Sequence, residues 1–260
     1  RYLSSAASDV YKRQELTQEG RTFVDSVRKG LHIIHQAEED LISGSERPRG
    51  KLRVDAASPF VFHQLVPLIQ SFKDTYPEIE LEITSNEGFV DLLEQRTDVA
   101  IRIGQLKDST LHARPLGKSD LFIVASPQYL ESAGAPRTTS ELQSHQLIGF
   151  TSPKVLNQWP LKGVDVIEPD ITSSNGETVR QLALASNGIA CLSGFMVLED
   201  IKQGRLVSLL DDAKRLDTGR EQVSAVYYKS SAVARRISSF IDFIQPVSYT
   251  HLTLPTTGIV

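Results

Sequence analysis

The apolar residues between Leu52 and Ile244 change repeatedly from the period of a strand to the period of a helix. Runs such as 52–56 and the alternating run 79–83 are typical of strands, whereas residues 233–244 keep their apolar side chains on one helical face. Strands that alternate with helices form open parallel or mixed sheets covered by the helices. Because these units are too many for one simple sheet, the sequence predicts an α/β fold with two similar lobes.

A long helical pattern precedes the α/β region. Thr17 is a suitable N-cap, and small or apolar residues recur after it at alternating spacings of three and four, as in the seam of a coiled coil. The seam consists of Gly20, Phe23, Val27, Gly30, Ile34, Ala37 and Leu41. We expect this helix to dimerise, with Phe23, Val27, Ile34 and Leu41 in the interface. Packing onto the domain that follows is the alternative.

The charge balance argues against a protein with a broad basic surface for nucleic acid or for an anionic membrane. With 28 basic and 32 acidic residues, the chain has a net charge of -4. This gives no basic footprint for nucleic acid or for an anionic membrane. Any contact with DNA must therefore come from a local patch or from a part of the protein outside this chain.

The sequence also indicates where the protein is located. The apolar runs are too short to span a bilayer, no signal-peptide core is visible, and a single cysteine excludes an internal disulfide. These features predict a cytoplasmic protein.

Catalytic and metal-binding patterns are weak. Cys191 lies in an apolar run, which favours a small buried side chain over a nucleophile. His32 and His35 are three residues apart on the predicted helix, without an acidic or thiol cluster, so exposed histidines are favoured over a metal site. The sequence contains no phosphate loop, nucleophile elbow or zinc-protease motif. We therefore expect no enzyme activity, no cofactor and no metal.

Two predicted helix starts, one in each expected lobe, are candidate sites for an anion. The first is at Ser58, the expected cap of its helix, and the second is at 173–177, where Ser174 and Glu177 have the spacing of a capping box. Free backbone N–H groups at such positions favour anions. Arg102, near the end of a strand, adds a guanidinium for a carboxylate. The alternatives are serines that only cap helices and an arginine in a surface ion pair.

Several ordered segments resemble the LysR-type transcriptional regulators. They are ELTQEG at 15–20, LVP at 65–67, YP at 76–77, DVAIRIG at 98–104, ARPLG at 113–117, ASPQYL at 125–130, GIA at 188–190 and GRLV at 204–207. The resemblance covers about 15–245. It implies a regulator in which an N-terminal winged helix-turn-helix binds DNA and a linker helix dimerises the chain. A domain of two Rossmann-like lobes, of the periplasmic-binding-protein type, then senses a small effector.

The resemblance also implies an effector site and partners. The site carries over onto Ser58, Pro59, Phe60, Arg102, Gly149, Phe150, Asn175 and Ser193. The implied partners are a small-molecule effector, with an organic anion as the expected class, DNA, and further copies of the chain in a homodimer or homotetramer. The implied mechanism is that the effector closes the lobes and the oligomer reorients its DNA-binding heads. A solute-binding protein for a small organic anion is the second hypothesis.

By the same analogy, residues 15–44 form the end of the winged helix-turn-helix and the linker helix. Residues 51–145 and 226–246 form lobe I, and residues 146–225 form lobe II, with crossings near Gln146 and Val223. Most of the DNA-binding motif is expected to precede Glu15. Residues 1–14 and 247–260 do not resemble the family. We expect residues 1–14 to be a non-native or disordered end and residues 247–260 to be a non-native tail.

Overall fold

The computed structural model describes residues 17–20, 22–24, 26–27, 30–31, 34, 47–87, 92, 95–106, 111–164, 166–228 and 235–252, with side chains to 245. Thr17 is confirmed as a cap, since its Oγ1 accepts the N–H of Gly20 at 3.1 Å. The described positions from 18 to 34 are helical, and Phe23, Val27 and Ile34 are exposed there. Most of the predicted linker helix lies outside the described residues, as do Leu41, His32 and His35, residues 1–14 and residues 253–260.

The first sheet belongs to lobe I and has the strand order β2-β1-β3-β10-β4. Its strands are β1 (Gly50–Ala56), β2 (Ile79–Ser85), β3 (Val99–Ile103), β4 (Leu111–Lys118) and β10 (Gln222–Tyr228). β1 pairs in parallel with β2 and β3, whereas β10 runs antiparallel to β3 and β4. The apolar alternation predicted for the strands places Leu52, Val54 and Ile79 in the core at 0% exposure.

The second sheet belongs to lobe II and has the order β7-β6-β8-β5-β9. Its strands are β5 (Leu121–Ala125), β6 (Leu147–Phe150), β7 (Ile171–Ser173), β8 (Ile189–Ser193) and β9 (Val207–Leu209). Its helices are α3 (Pro127–Ala133), α4 (Gly176–Leu184) and α5 (Gly194–Lys202). β6 is parallel to β7 and β8, and β5 is antiparallel to β8 and β9. The two five-stranded sheets confirm the predicted two-lobed α/β fold.

The first helical stretch of lobe I changes its winding along its length. It passes from α1 (Ser58–Phe60) through a π-helical turn (Val61–Leu65) and a 3-10 turn (Val66–Leu68) into α2 (Ile69–Thr75). Pro67 explains the change, because it has no N–H to donate to the carbonyl of His63 four residues earlier. That carbonyl instead accepts Gln64 Nε2 at 3.1 Å. The final helix of the chain, α6 (Arg235–Leu252), returns to lobe I.

One apolar core runs through both lobes. In lobe I, the rings of Phe72 and Phe240 pack edge to face at 5.4 Å and attach α6 to α2. Between the lobes, Phe60 packs edge to face on Phe195 at 5.7 Å. A separate cluster in lobe II surrounds Trp159, which is 1% exposed. Among the described residues, no helix is long and apolar enough to cross a membrane.

The crossings between the sheets differ from the expected lobe boundaries. β5 pairs antiparallel with β8 and β9 in the second sheet, so the first crossing lies at 119–120 and not near Gln146. α3, which follows β5, is therefore also on the lobe II side of this crossing. The chain returns to the first sheet at Gln222, where β10 begins, and not at residue 226.

Candidate functional site

The carboxyl ends of the parallel strands form one edge of each sheet, and most of the predicted site residues lie at these edges. In the first sheet, the pairing of β1 with β3 brings Ser58 and Arg102 to the same edge. In the second sheet, the pairing of β6 with β7 and β8 brings Phe150, Asn175 and Ser193 to one edge. This is the region of an open α/β sheet in which ligands bind.

The two edges meet where the first helical stretch of lobe I contacts α4 and α5. Pro59 and Phe60 are buried in this contact, and Phe60 is 0% exposed. A Cβ added to Gly176 would lie 3.1 Å from Pro59 Cγ and 3.2 Å from Met196 Cε. A glycine at the start of α4 therefore allows the helices to approach closely. Pro59 and Phe60 form the apolar contact between the lobes.

Ser58 is bonded to a carboxylate of its own lobe. The N-cap of α1 is Ala57, so the prediction that Ser58 caps this helix is wrong. The N–H and Oγ of Ser58 both donate to Glu87 Oε1, at 3.0 and 2.5 Å. The anion expected at this helix start is supplied by Glu87.

Arg102 is also paired within lobe I. Its Nη1 donates to Asp55 Oδ2 at 2.9 Å, and the side chains are 11% and 0% exposed. Asp55 Oδ1 accepts Thr84 Oγ1 at 3.0 Å and Asn86 Nδ2 at 2.5 Å. The predicted alternative of an ion pair is therefore observed, although it is largely buried and not at the surface.

The second predicted helix start has a different cap from the expected one. Asn175 is the N-cap of α4, and its Oδ1 accepts the N–H of Thr178 at 2.8 Å. The capping box predicted from Ser174 and Glu177 is wrong, because the helix begins one residue later than that spacing requires. Glu177 is thus available for other contacts.

Gly149 has a packing role in this structure. A Cβ at this position would lie 2.6 Å from Asn157 Oδ1 and 2.9 Å from Pro169. Asn157 Oδ1 accepts the N–H of Phe150, and its Nδ2 donates to the Phe150 carbonyl, both at 2.8 Å. The side-chain amide of Asn157 thus fixes the backbone at the end of β6. The side chain of Phe150 is partly exposed.

A charged network extends from the contact between the two lobes into lobe II. Local sequence patterns did not reveal it. His63 Nε2 lies 2.8 Å from Glu177 Oε2. Glu177 Oε1 accepts Arg180 Nη1 at 2.8 Å and Gln181 Nε2 at 2.9 Å. Arg180 donates twice to Asp200, at 2.6 and 2.8 Å. Burial raises the pKa of Glu177, but the hydrogen bonds from Gln181 and His63 and the charge of Arg180 outweigh it and hold that pKa below its usual value.

The sequence contains no local signal for the pairing of His63 with Glu177, because the residues are 114 positions apart. His63 is an isolated histidine in the sequence, and Glu177 fits the spacing of a capping residue. Within the described parts of the chain, no group of three or more His, Cys, Asp or Glu residues is arranged to hold a metal ion.

Comparison with known proteins places this architecture in a family. The family model for the LysR substrate binding domain matches residues 45–248. The HTH-type transcriptional regulator CrgA of Neisseria meningitidis serogroup C (strain 8013) is 40% identical over 237 residues, which are 90% of this chain and 79% of that protein.

Solved structures agree with this result. The regulatory domain of CrgA, a LysR-type transcriptional regulator from Neisseria meningitidis, matches with a TM-score of 0.72 and 42% identity over 77% of this chain and 99% of that chain. The longer CrgA structure matches with a TM-score of 0.74 and 39% identity over 92% of this chain and 83% of that chain. The chain belongs to the LysR-type transcriptional regulators.

Proposed function

We propose that a small-molecule effector binds between the two lobes of this regulator and that its binding controls the action of the oligomer on DNA. The observation that carries the proposal is the meeting of the two carboxyl-end sheet edges at the contact of α1 with α4 and α5. A ligand held at this meeting point touches both lobes and therefore favours one relative position of them. Membership of a regulator family replaces the solute-binding hypothesis.

Exposure and pairing separate the predicted site residues into three groups. Ser58, Phe150, Asn175 and Ser193 are half-buried and accessible to a ligand, and we propose them as effector contacts. Pro59, Phe60 and Gly149 are buried, and their proposed part is to shape the site from behind. Arg102, held by Asp55, is proposed to orient the edge of the first sheet.

The chemical class of the effector depends on Glu87. Organic anions remain our first class, and they would have to displace the Glu87 carboxylate from the donors of Ser58. A neutral or cationic effector would instead donate a hydrogen bond to the Glu87 carboxylate without displacing it from Ser58. The exposed position of Glu87 makes either exchange possible at low desolvation cost.

The rest of the proposed mechanism follows the family. The full-length protein would bind DNA through an N-terminal winged helix-turn-helix and act as a homodimer or homotetramer in the cytoplasm, without enzymatic activity. The exposed side chains of Phe23, Val27 and Ile34 support a helical interface between copies of the chain. Ligand binding would shift the population of lobe positions, and the oligomer would transmit the shift to the DNA-binding heads.

A thermal-shift screen of small organic acids, amines and neutral metabolites tests the effector site. For each hit, Ser58→Ala and Ser193→Ala are expected to weaken binding about 2- to 10-fold, which corresponds to one lost hydrogen bond. Ser71→Ala, at an exposed position of α2 away from the sheet edges, is the matched control and should bind as the wild type does. If both cleft variants bind every hit with unchanged affinity, the proposed site is wrong.

A further inference from the structure

The two lobes are joined by a polar contact as well as by the apolar one. His63 belongs to the π-helical turn of lobe I, and Glu177 belongs to the first turn of α4 in lobe II. Their atoms Nε2 and Oε2 are 2.8 Å apart, and the side chains are 23% and 20% exposed. A histidine–carboxylate pair of this kind at a lobe contact is strengthened by partial exclusion of water.

Lobe II holds its half of the pair in a fixed position. Oε1 of Glu177 is bound by Arg180 and Gln181, so Oε2 is directed to lobe I. Arg180 is itself fixed by the fully buried Asp200 of α5. Because the pKa of Glu177 lies below its usual value, its carboxylate remains ionised throughout the neutral pH range.

Lobe I holds His63 where the winding of the helix changes. Pro67 interrupts the α-helical hydrogen bonds, and the N–H of Val66 reaches back five residues to the Val61 carbonyl. Such π-helical turns are frequent at functional sites. The charged groups that face the imidazole come from α4, namely Glu177 and, behind it, Arg180. α5 contacts this region through the apolar side chain of Phe195, and its Asp200 acts through Arg180.

We propose that His63 and Glu177 form a proton-dependent latch between the lobes, which is strong when His63 is protonated and weak when it is neutral. A charge-assisted hydrogen bond is about twice as strong as a neutral one. The latch therefore stabilises the arrangement in which the lobes are in contact more strongly at low pH than at high pH.

The distance between the lobes is the direct readout, and it can be measured without effector, so the test is independent of the proposed effector site. Cysteines introduced at the exposed positions Ser85 of β2 and Thr172 of β7 carry spin labels on the two lobes of the full chain, while the native Cys191 is buried. Pulsed dipolar spectroscopy is then recorded at pH 6 and pH 8.5. We expect the wild-type distance distribution to shift to longer distances at the higher pH. In His63→Gln, we expect the long-distance distribution at both pH values.

Thermal unfolding provides a second readout for variants that alter folding. At pH 6, His63→Gln and Glu177→Gln should each lower Tm by about 2–4 °C, and the double variant should lower it by less than the sum. At pH 8.5, the decrease in Tm caused by His63→Gln should be less than half of the decrease at pH 6. His112→Gln removes an exposed imidazole of lobe I, whose ring centroid lies 5.4 Å from that of Tyr227. It is the matched control and should keep the wild-type pH dependence of the distances. The latch is refuted if the wild-type distances do not change with pH, or if His63→Gln shows the same change as the wild type.

Discussion

Replacement of Asp200 by alanine is expected to destabilise lobe II strongly. Asp200 is 0% exposed and accepts Arg180 at 2.6 and 2.8 Å and Arg205 at 2.5 Å. The Arg180 side chain is only 12% exposed, so the variant leaves a nearly buried guanidinium with Glu177 as its remaining carboxylate. Removal of one partner from a buried ion pair destabilises by about 3–5 kcal/mol. Because Glu177 remains, we expect about 3 kcal/mol, the lower end of that range. For a chain of this size, this corresponds to a decrease in Tm of about 6–12 °C.

Urea unfolding followed by tryptophan fluorescence measures this loss. The chain has 1 tryptophan, Trp159, which lies 1% exposed in the core of lobe II and therefore reports on the affected lobe. Glu199→Ala, at the neighbouring exposed position of the same helix, is the control and should change the free energy of unfolding by no more than about 0.5 kcal/mol. A loss below about 1 kcal/mol for Asp200→Ala, with an unchanged m-value, would show that the network does not carry the stability assigned to it.

Three further predictions concern packing, reactivity and assembly. Gly149→Ala places a methyl group 2.6 Å from Asn157 Oδ1 and should lower the free energy of unfolding by about 1–3 kcal/mol in the same assay; an unchanged midpoint would contradict the packing role. Burial raises the pKa of the Cys191 thiol to about 11, so a disulfide reagent at pH 8 should modify the native chain much more slowly than the urea-unfolded chain, and equal rates would refute this assignment. Removal of the residues before Lys51 deletes the exposed seam with Phe23, Val27 and Ile34, and sedimentation should then show the loss of one interface; an unchanged oligomer would refute the coiled-coil prediction.

Most of the fold could be predicted from the sequence because most strands keep an uninterrupted apolar period. β4 (Leu111–Lys118) is one exception, since Pro115 and Gly117 interrupt its pattern. Proline is accepted there because β4 lies at the edge of the first sheet, opposite a register shift in β10. The crossing between the lobes was also missed, because the sheet to which β5 belongs is decided by pairing with β8 and β9, far along the chain.

The candidate site could be predicted only in part, for a related reason. The sequence shows hydrogen-bond donors such as Ser58 and Arg102 next to strand ends, and the structure places both at the carboxyl edge of the first sheet. Their acceptors, Glu87 and Asp55, are 29 and 47 positions away, and nothing in the local pattern links them. The same holds for His63, whose partner is on the other lobe.

These pairings change what recognition of an effector requires. A ligand that bonds to Ser58 exchanges one hydrogen bond for another, and such an exchange contributes only about 1 kcal/mol. A ligand can displace the exposed Glu87 from Ser58 at low cost. It cannot displace Asp55 from Arg102 at comparable cost, because Asp55 is fully buried and three donors hold it. Selectivity must therefore depend on how well a ligand fits both sheet edges at once. Since that fit requires a particular lobe position, any contact that biases the lobes, including His63 with Glu177, also changes effector affinity.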